Sequence, residues 1–294
     1  MRKLFIIGLL FVLSGSFVYS NEMTEDYFDI ATNYCIEGNY SEALSYLDKI
    51  LLIEPNNKTV LDLKNGLQQI IKGKNFSFII PKSNAVKQSI EMKKIGNKQG
   101  ELTSLTSGND YWAYYFLGQF YKQNKDYNQA ISYLIKSVNA KPSFNQCYLE
   151  IAVCYFELGN FQQAVTYLNQ YLKVNQQDDF AYALRARAYA NLDNNDSALS
   201  DILTAIALEN SLDYRLLEGK ILYNMKRYSQ AKEKLEKLTN EIQTAEVYKY
   251  LGLCNAELGN YNEAIDSLDK SIILFDDDKL VNTKYNEIKS RIEK

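Results

Sequence analysis

The side chain that most often does acid–base or metal chemistry at neutral pH is missing from this sequence: none of its 294 residues is histidine. That removes the commonest general base, the usual partner of a catalytic serine or cysteine, and the commonest metal ligand. Catalysis would have to rest on carboxylates or lysines. A glycosidase needs two acids about 5–10 Å apart across a cleft, whereas Glu150 and Glu157 share one stretch of helical periodicity. The four cysteines, Cys35, Cys147, Cys154 and Cys254, have no metal-ligand spacing. Cys147 and Cys154 are seven residues apart on one predicted helix, about 10.5 Å along its axis, which is too far for a disulfide. All four are expected to be small buried side chains. No glycine precedes the Lys-Thr of a phosphate loop, and a net charge of −3 argues against nucleic acid as a partner. These residues suggest no catalytic group, metal or cofactor.

What the chain does have is a repeat, and the repeat dictates the elements. Alanines stand at Ala43, Ala130, Ala164, Ala198, Ala231 and Ala264, the last five at intervals of 34, 34, 33 and 33 residues. Sixteen residues before them an aromatic recurs at Tyr27, Tyr114, Tyr148, Tyr182 and Tyr248, with Arg215 the exception. Twelve before, the side chain is always small: Ala31, Gly118, Ala152, Ala186, Gly219, Gly252. Four after stand Leu47, Leu134, Leu168, Ile202, Leu235 and Leu268. Apolar residues at three- and four-residue steps make each unit helical, and Gly38-Asn39, Gly159-Asn160 or Gly259-Asn260 breaks it into an antiparallel pair. The small residue of the first helix is expected to face the alanine of the second, so that the two backbones approach closely.

This pattern, with Pro55 and Pro142 after second helices, resembles the tetratricopeptide repeat, a 34-residue helix–turn–helix. The resemblance covers six units, roughly 200 of the 294 residues. It implies an all-α fold: a right-handed α-solenoid of stacked antiparallel helix pairs. Residues 21–57 form the first unit and 58–110 a degenerate helical unit with an insertion. Full units follow at 111–144, 145–178, 179–211, 212–244 and 245–278, and 279–294 forms a C-terminal capping helix. Within 58–110, Lys58–Lys72 reads as a helix, Phe76–Ile80 as a β-prone run, Ser83–Ile95 as a helix and Asn97–Asn109 as a loop rich in Gly, Ser and Thr. The segment 73–110 carries six lysines against three acids, which suits a solvated insertion or a docking surface for an anionic partner.

Residues 1–20 read as a secretory signal: Met1-Arg2-Lys3 is basic, Leu4–Leu13 apolar, and Val18-Tyr19-Ser20 small-flanked before Asn21. The expected locale is a periplasm or extracellular space, with membrane association only if Leu4–Tyr19 stays as an uncleaved anchor.

A repeat fold does not by itself name a function. The resemblance implies that first helices line a concave face that holds protein or peptide segments. By position, that face would carry Trp112, Tyr115 and Gln119; then Leu149, Val153 and Phe156; then Phe180, Ala183 and Arg187; then Leu216, Lys220 and Tyr223. The family subgroup that grips a C-terminal carboxylate with lysine and asparagine is not matched, because Phe28 and Thr32, or Tyr115 and Gln119, occupy those positions. Three residues after the first aromatic, Ile30, Leu117, Ile151 and Leu251 give way to Arg185 and Glu218 in adjacent units. An inter-repeat ion pair is expected there, joined by Arg215. The function expected is an exported scaffold for protein–protein interaction in a bacterial envelope. The alternative is an envelope carbohydrate-binding protein or a carboxylate-dependent enzyme using the aromatic groove as a stacking platform.

Overall fold

The computed structural model describes residues 22–37, 39–71 and 84–293. The signal-like segment 1–20, Gly38, the β-prone run Phe76–Ile80 and Ser83 lie outside the described residues. Among the described residues every regular element is a helix, and none is long and apolar enough to cross a membrane. The chain divides into two units, Met1–Leu158 and Gly159–Lys294.

In the first unit α1 (Glu22–Glu37) pairs with α2 (Tyr40–Ile53), against which α3 (Lys58–Ile71) packs. A second pair follows, α4 (Asn84–Lys94) with α5 (Lys98–Thr106), then α6 (Tyr111–Gln123) with α7 (Tyr127–Ala140), and α8 (Gln146–Glu157) packs on α7. The helix α5 corrects the expectation of a loop over Asn97–Asn109. Asn97 caps it by accepting from Gly100 N, and Thr103, Ser104 and Thr106 spend their hydroxyls on the carbonyls of Gln99, Gly100 and Leu102. Those are the back-bonds to the preceding turn that Ser and Thr make when they sit inside a helix, and the Asn97 cap and buried Leu105 hold the element in place. Twelve residues before Glu101 stands Ser89, buried and donating to the Val86 carbonyl. The pair α4–α5 therefore keeps the small residue of the repeat while its alanine has become glutamate.

The second unit opens with α9 (Phe161–Leu172), which packs on α10 (Asp179–Asn191). Three pairs follow: α10 with α11 (Asn195–Leu208), α12 (Leu212–Asn224) with α13 (Tyr228–Thr239), and α14 (Ala245–Glu257) with α15 (Tyr261–Leu274). Helix α16 (Lys279–Ile292) packs on α15, burying Val281 and Ile288 and leaving Leu280 and Ile292 exposed. The first helices α10, α12, α14 and α16 also touch in succession, so they form a continuous layer.

Local chemistry sets each boundary. Asp110, Asp126, Asp178, Asn194 and Thr244 accept from backbone N–H groups in the first turns of α6, α7, α10, α11 and α14. Among the described residues the left-handed positions are Gly96 (φ 73°), Gly159 (φ 75°) and Gly259 (φ 79°), and in the turns of α6–α7, α10–α11 and α12–α13 they are Lys125, Asp193 and Lys226 at φ 58–61°. The small residue meets the second helix most closely at its leucine, and at Gly118 the carbonyl of the expected alanine, Ala130, is also 3.3 Å from a Cβ position. A Cβ on Gly118 would stand 2.5 Å from Leu134 Cγ, on Gly219 2.7 Å from Leu235 Cδ2, and on Gly252 2.7 Å from Leu268 Cγ. The alanine lies one turn earlier on that helix and is itself fully buried in every unit.

Candidate functional site

In the first unit, the residues expected to line a groove separate into two groups. Trp112, Tyr115 and Leu149 are buried at 1, 1 and 7 % exposure and belong to the core, which corrects their assignment as ligand-facing. The reason is Phe144, itself fully buried, whose ring lies 5.2 Å from Trp112 and 5.1 Å from Tyr115. These edge and tilted contacts fill the space that an open groove would need. Gln119, partly buried, donates from Nε2 to Tyr115 Oη at 2.9 Å, and Val153 and Phe156 are also partly buried. Sequence reasoning missed the ion pair between Lys122 on α6 and Glu150 on α8, Nζ to Oε2 at 2.5 Å, with the carboxylate side chain 11 % exposed.

In the second unit more of the expected face reaches water. Phe180 is 48 % exposed and Arg187 is exposed, two turns apart on α10. Leu216, Lys220 and Tyr223 on α12 are half-buried, and only Ala183 is fully withdrawn. Lys220 bonds Glu246 of α14 at 2.5 Å and sits 5.4 Å from the Tyr250 ring centroid, while Tyr223 meets Tyr250 edge-on at 5.7 Å. Partial burial, then the nearby Glu257 carboxylate, pushes the Tyr223 phenol up to about 12. Tyr214 on α12 donates to Asp179 Oδ2 at 2.7 Å, and burial followed by that bond raises its pKa well above the ordinary phenol value. At neutral pH both phenols therefore stay protonated as donors. No acid among the described residues pairs with Arg187, so its guanidinium is available to an incoming group.

The inter-repeat ion pair expected between Arg185 and Glu218 is absent, and each charge is answered elsewhere. Arg185 forms a fork with Asp201 of α11, Nε to Oδ2 at 2.6 Å and Nη2 to Oδ1 at 2.8 Å, and gives Nη1 to Asn169. Glu218 meets Lys234 of α13 at 2.7 Å. Arg215 reaches neither, binding Glu241 through both terminal nitrogens. The physical reason is direction. This position on a first helix points at the second helix of its own pair, sixteen residues on, not sideways at the next repeat. The signal was present in sequence, because Ile30 and Leu117 are followed at the same sixteen-residue offset by Tyr46 and Tyr133, whereas Arg185 and Glu218 are followed by opposite charges.

All four cysteines are free and buried, with Cys154 and Cys254 pushed up to about 12 chiefly by burial. Cys147 donates to Ser137 Oγ at 3.3 Å, and Ser137 in turn donates to the Tyr111 carbonyl at the start of α6. Among the described residues no three Cys, Asp or Glu side chains converge as metal ligands.

Models of the tetratricopeptide repeat match residues 121–188 and 216–279. Similar solved structures include MamA, with 22 % identity and a TM-score of 0.52 over 55 % of this chain and 90 % of that one. A second is MamA from Desulfovibrio magneticus RS-1, with 17 % identity, a TM-score of 0.50 and coverage of 53 % and 92 %. A third is YrrB, described as a TPR protein with an unusual peptide-binding site, with 18 % identity, a TM-score of 0.55 and coverage of 69 % and 98 %. At these identities the likeness is one of fold. No curated protein matches the sequence.

Proposed function

The chain is a tetratricopeptide-repeat protein, and from that premise we propose that it is a non-catalytic scaffold that holds extended segments of partner proteins against its first helices. The observation that carries this is the face of α10 and α12. There Phe180 and Tyr223 offer apolar and aromatic area to solvent, and Arg187 offers a guanidinium with no acid at ion-pair distance among the described residues. Aromatic and arginine side chains are the usual energetic centres of protein interfaces. The unpaired charge favours a segment carrying an acidic residue beside an apolar one. YrrB, with its unusual peptide-binding site, supports the reading for this fold.

We further propose that the protein acts outside the cytoplasm, on the strength of the basic and apolar pattern in residues 1–20. Cell fractionation with N-terminal sequencing tests this. A mature terminus at Asn21 supports a released scaffold, an intact terminus in the membrane fraction supports a tethered one, and an intact soluble cytosolic protein overturns export.

The test of the binding face is selection of peptides from a random library on the full chain, followed by titration calorimetry. Phe180→Ala with Arg187→Glu is expected to abolish binding of the selected peptides with helicity unchanged. Equal affinity in the variant would remove this face from the proposal.

A further inference from the structure

Large apolar side chains left in water are unusually dense at one end of the second unit. Ile273, Leu274, Phe275 and Leu280 are 74, 51, 56 and 54 % exposed within eight residues of chain. The repeat does not ask for them. At the same three positions closing the second helix, the three preceding repeats carry Lys173-Val174-Asn175, Ala207-Leu208-Glu209 and Asn240-Glu241-Ile242; only the first repeat, with Leu52-Ile53-Glu54, also leaves two apolar side chains exposed there, and it lacks the aromatic. Nor does a loose end of chain explain the exposure. Phe275 N–H bonds the Ser271 carbonyl at 2.9 Å, and Asn282 Nδ2 donates to the Asp276 carbonyl at 2.8 Å. Asp278 caps α16 through Leu280 N and Val281 N, and its other oxygen takes Lys249 at 2.7 Å. The turn is thus tied down at four points, and it holds these side chains outward.

The charges beside the patch have both signs. Asp276 and Asp277 precede α16 and Lys279 begins it, and none of the three has an ion-pair partner among the described residues. We propose that this end of the second unit is a face for self-association, on which a second copy of the chain docks about a two-fold axis. In a two-fold contact each patch meets its own image, so the apolar residues cover one another while the acids of one copy face Lys279 of the other. A patch of one charge sign would only repel its image; here each copy brings a lysine to meet the other's acids. The four exposed side chains present on the order of 500 Å², at the upper end of what a monomer leaves in water. Two such patches bury roughly 1,000 Å², at the lower limit for a specific interface, so the association is reversible and concentration-dependent.

The test is sedimentation velocity on the full chain from about 1 to 100 µM, the range in which an interface of this size assembles. The wild type is expected to double in mass across that range. Phe275→Ser should stay monomeric with an unchanged circular dichroism spectrum, since the ring is more than half exposed already. Asp277→Lys and Lys279→Asp should each lose the dimer through like-charge repulsion, and mixing the two single variants should restore it as a heterodimer. A wild type monomeric throughout overturns the proposal, including where some other macromolecule proves to cover the patch. A dimer indifferent to Phe275→Ser, or single charge variants that dimerise as well as the wild type, also overturn it.

Discussion

Replacing the Arg185–Asp201 fork tests whether charges in this array are compensated within a repeat. The guanidinium and carboxylate side chains are 17 and 9 % exposed, so neither can recover full hydration when its partner is removed. Asp201→Ala leaves Arg185 with only Asn169 and the faces of Tyr182 and Tyr189, whose centroids lie 5.4 and 6.0 Å away. Breaking a buried pair from one side costs about 3–5 kcal/mol, and the residual exposure of Arg185 places this case near about 3 kcal/mol. Arg185→Leu should cost a similar amount by stranding Asp201. The double variant Arg185→Leu, Asp201→Tyr copies the Leu117 and Tyr133 found at these positions in another unit, so no charge is stranded. It is expected within about 1 kcal/mol of the wild type. The coupling between the sites would then be about 5 kcal/mol, far above the few tenths expected of independent sites. In thermal melts each single variant should fall by roughly 6–12 °C, at about 2–4 °C per kcal/mol for a chain of this size. The assay is urea unfolding followed by circular dichroism, with m-values compared across the four proteins, because repeat arrays can lose two-state behaviour. Additive single effects, or a double variant as weak as their sum, would refute compensation within the repeat.

Three further outcomes follow from other contacts. Gly252→Ala should destabilise the second unit by about 1–3 kcal/mol through overpacking, because its Cβ would stand 2.7 Å from Leu268 Cγ and 3.1 Å from Leu268 N. Gly259→Ala, with nothing within 4 Å, should cost only about 1 kcal/mol of left-handed backbone strain; if guanidinium titrations show equal losses, close approach is not what selects glycine at 252. The Lys249 bond, aided by backbone N–H groups, holds the Asp278 carboxyl below its usual value. That stabilisation is therefore present above about pH 4, the unfolded value, and fades as acid drives the pH through the lower folded value. Asp278→Asn should flatten this acid limb of the melting-temperature curve, and an unchanged limb would assign it to other carboxylates. Finally, none of the four cysteines should react with Ellman's reagent at pH 8 in the native protein, and all four should in guanidinium. A fast native thiol would contradict their burial.

The helix pairs and their spacing were legible because a packed repeat leaves a fixed register, kept by Ala130, Ala164, Ala198, Ala231 and Ala264 and their attendant leucines. Composition misled at α5, where Ser and Thr read as loop although their hydroxyls satisfy helical carbonyls. It misled again at Trp112 and Tyr115. Position in the repeat placed both on the open face, but the ring that covers them, Phe144, comes from the connection between α7 and α8. Such covering is a tertiary fact that a single-helix pattern does not carry. The Arg185–Glu218 expectation went wrong for a related reason: adjacency in the array was weighed, while the sixteen-residue offset within a pair was not.

That offset divides the ion pairs by reach. Arg185–Asp201 and Glu218–Lys234 close inside one helix pair, whereas Lys220–Glu246 reaches 26 residues on into the next; Arg215–Glu241, of the same span, ends on the connection after α13, within its own repeat. A pair closed on itself travels intact when its repeat is duplicated, deleted or transplanted, because no buried charge is orphaned by the new neighbour. A bridging pair does the opposite, tying its repeat to the one that follows. The array thus mixes portable modules with order-fixing joints. Recombination at the boundary before Leu212 would cut none of these four pairs, while recombination between Thr244 and Ala245 would sever the Lys220–Glu246 bridge.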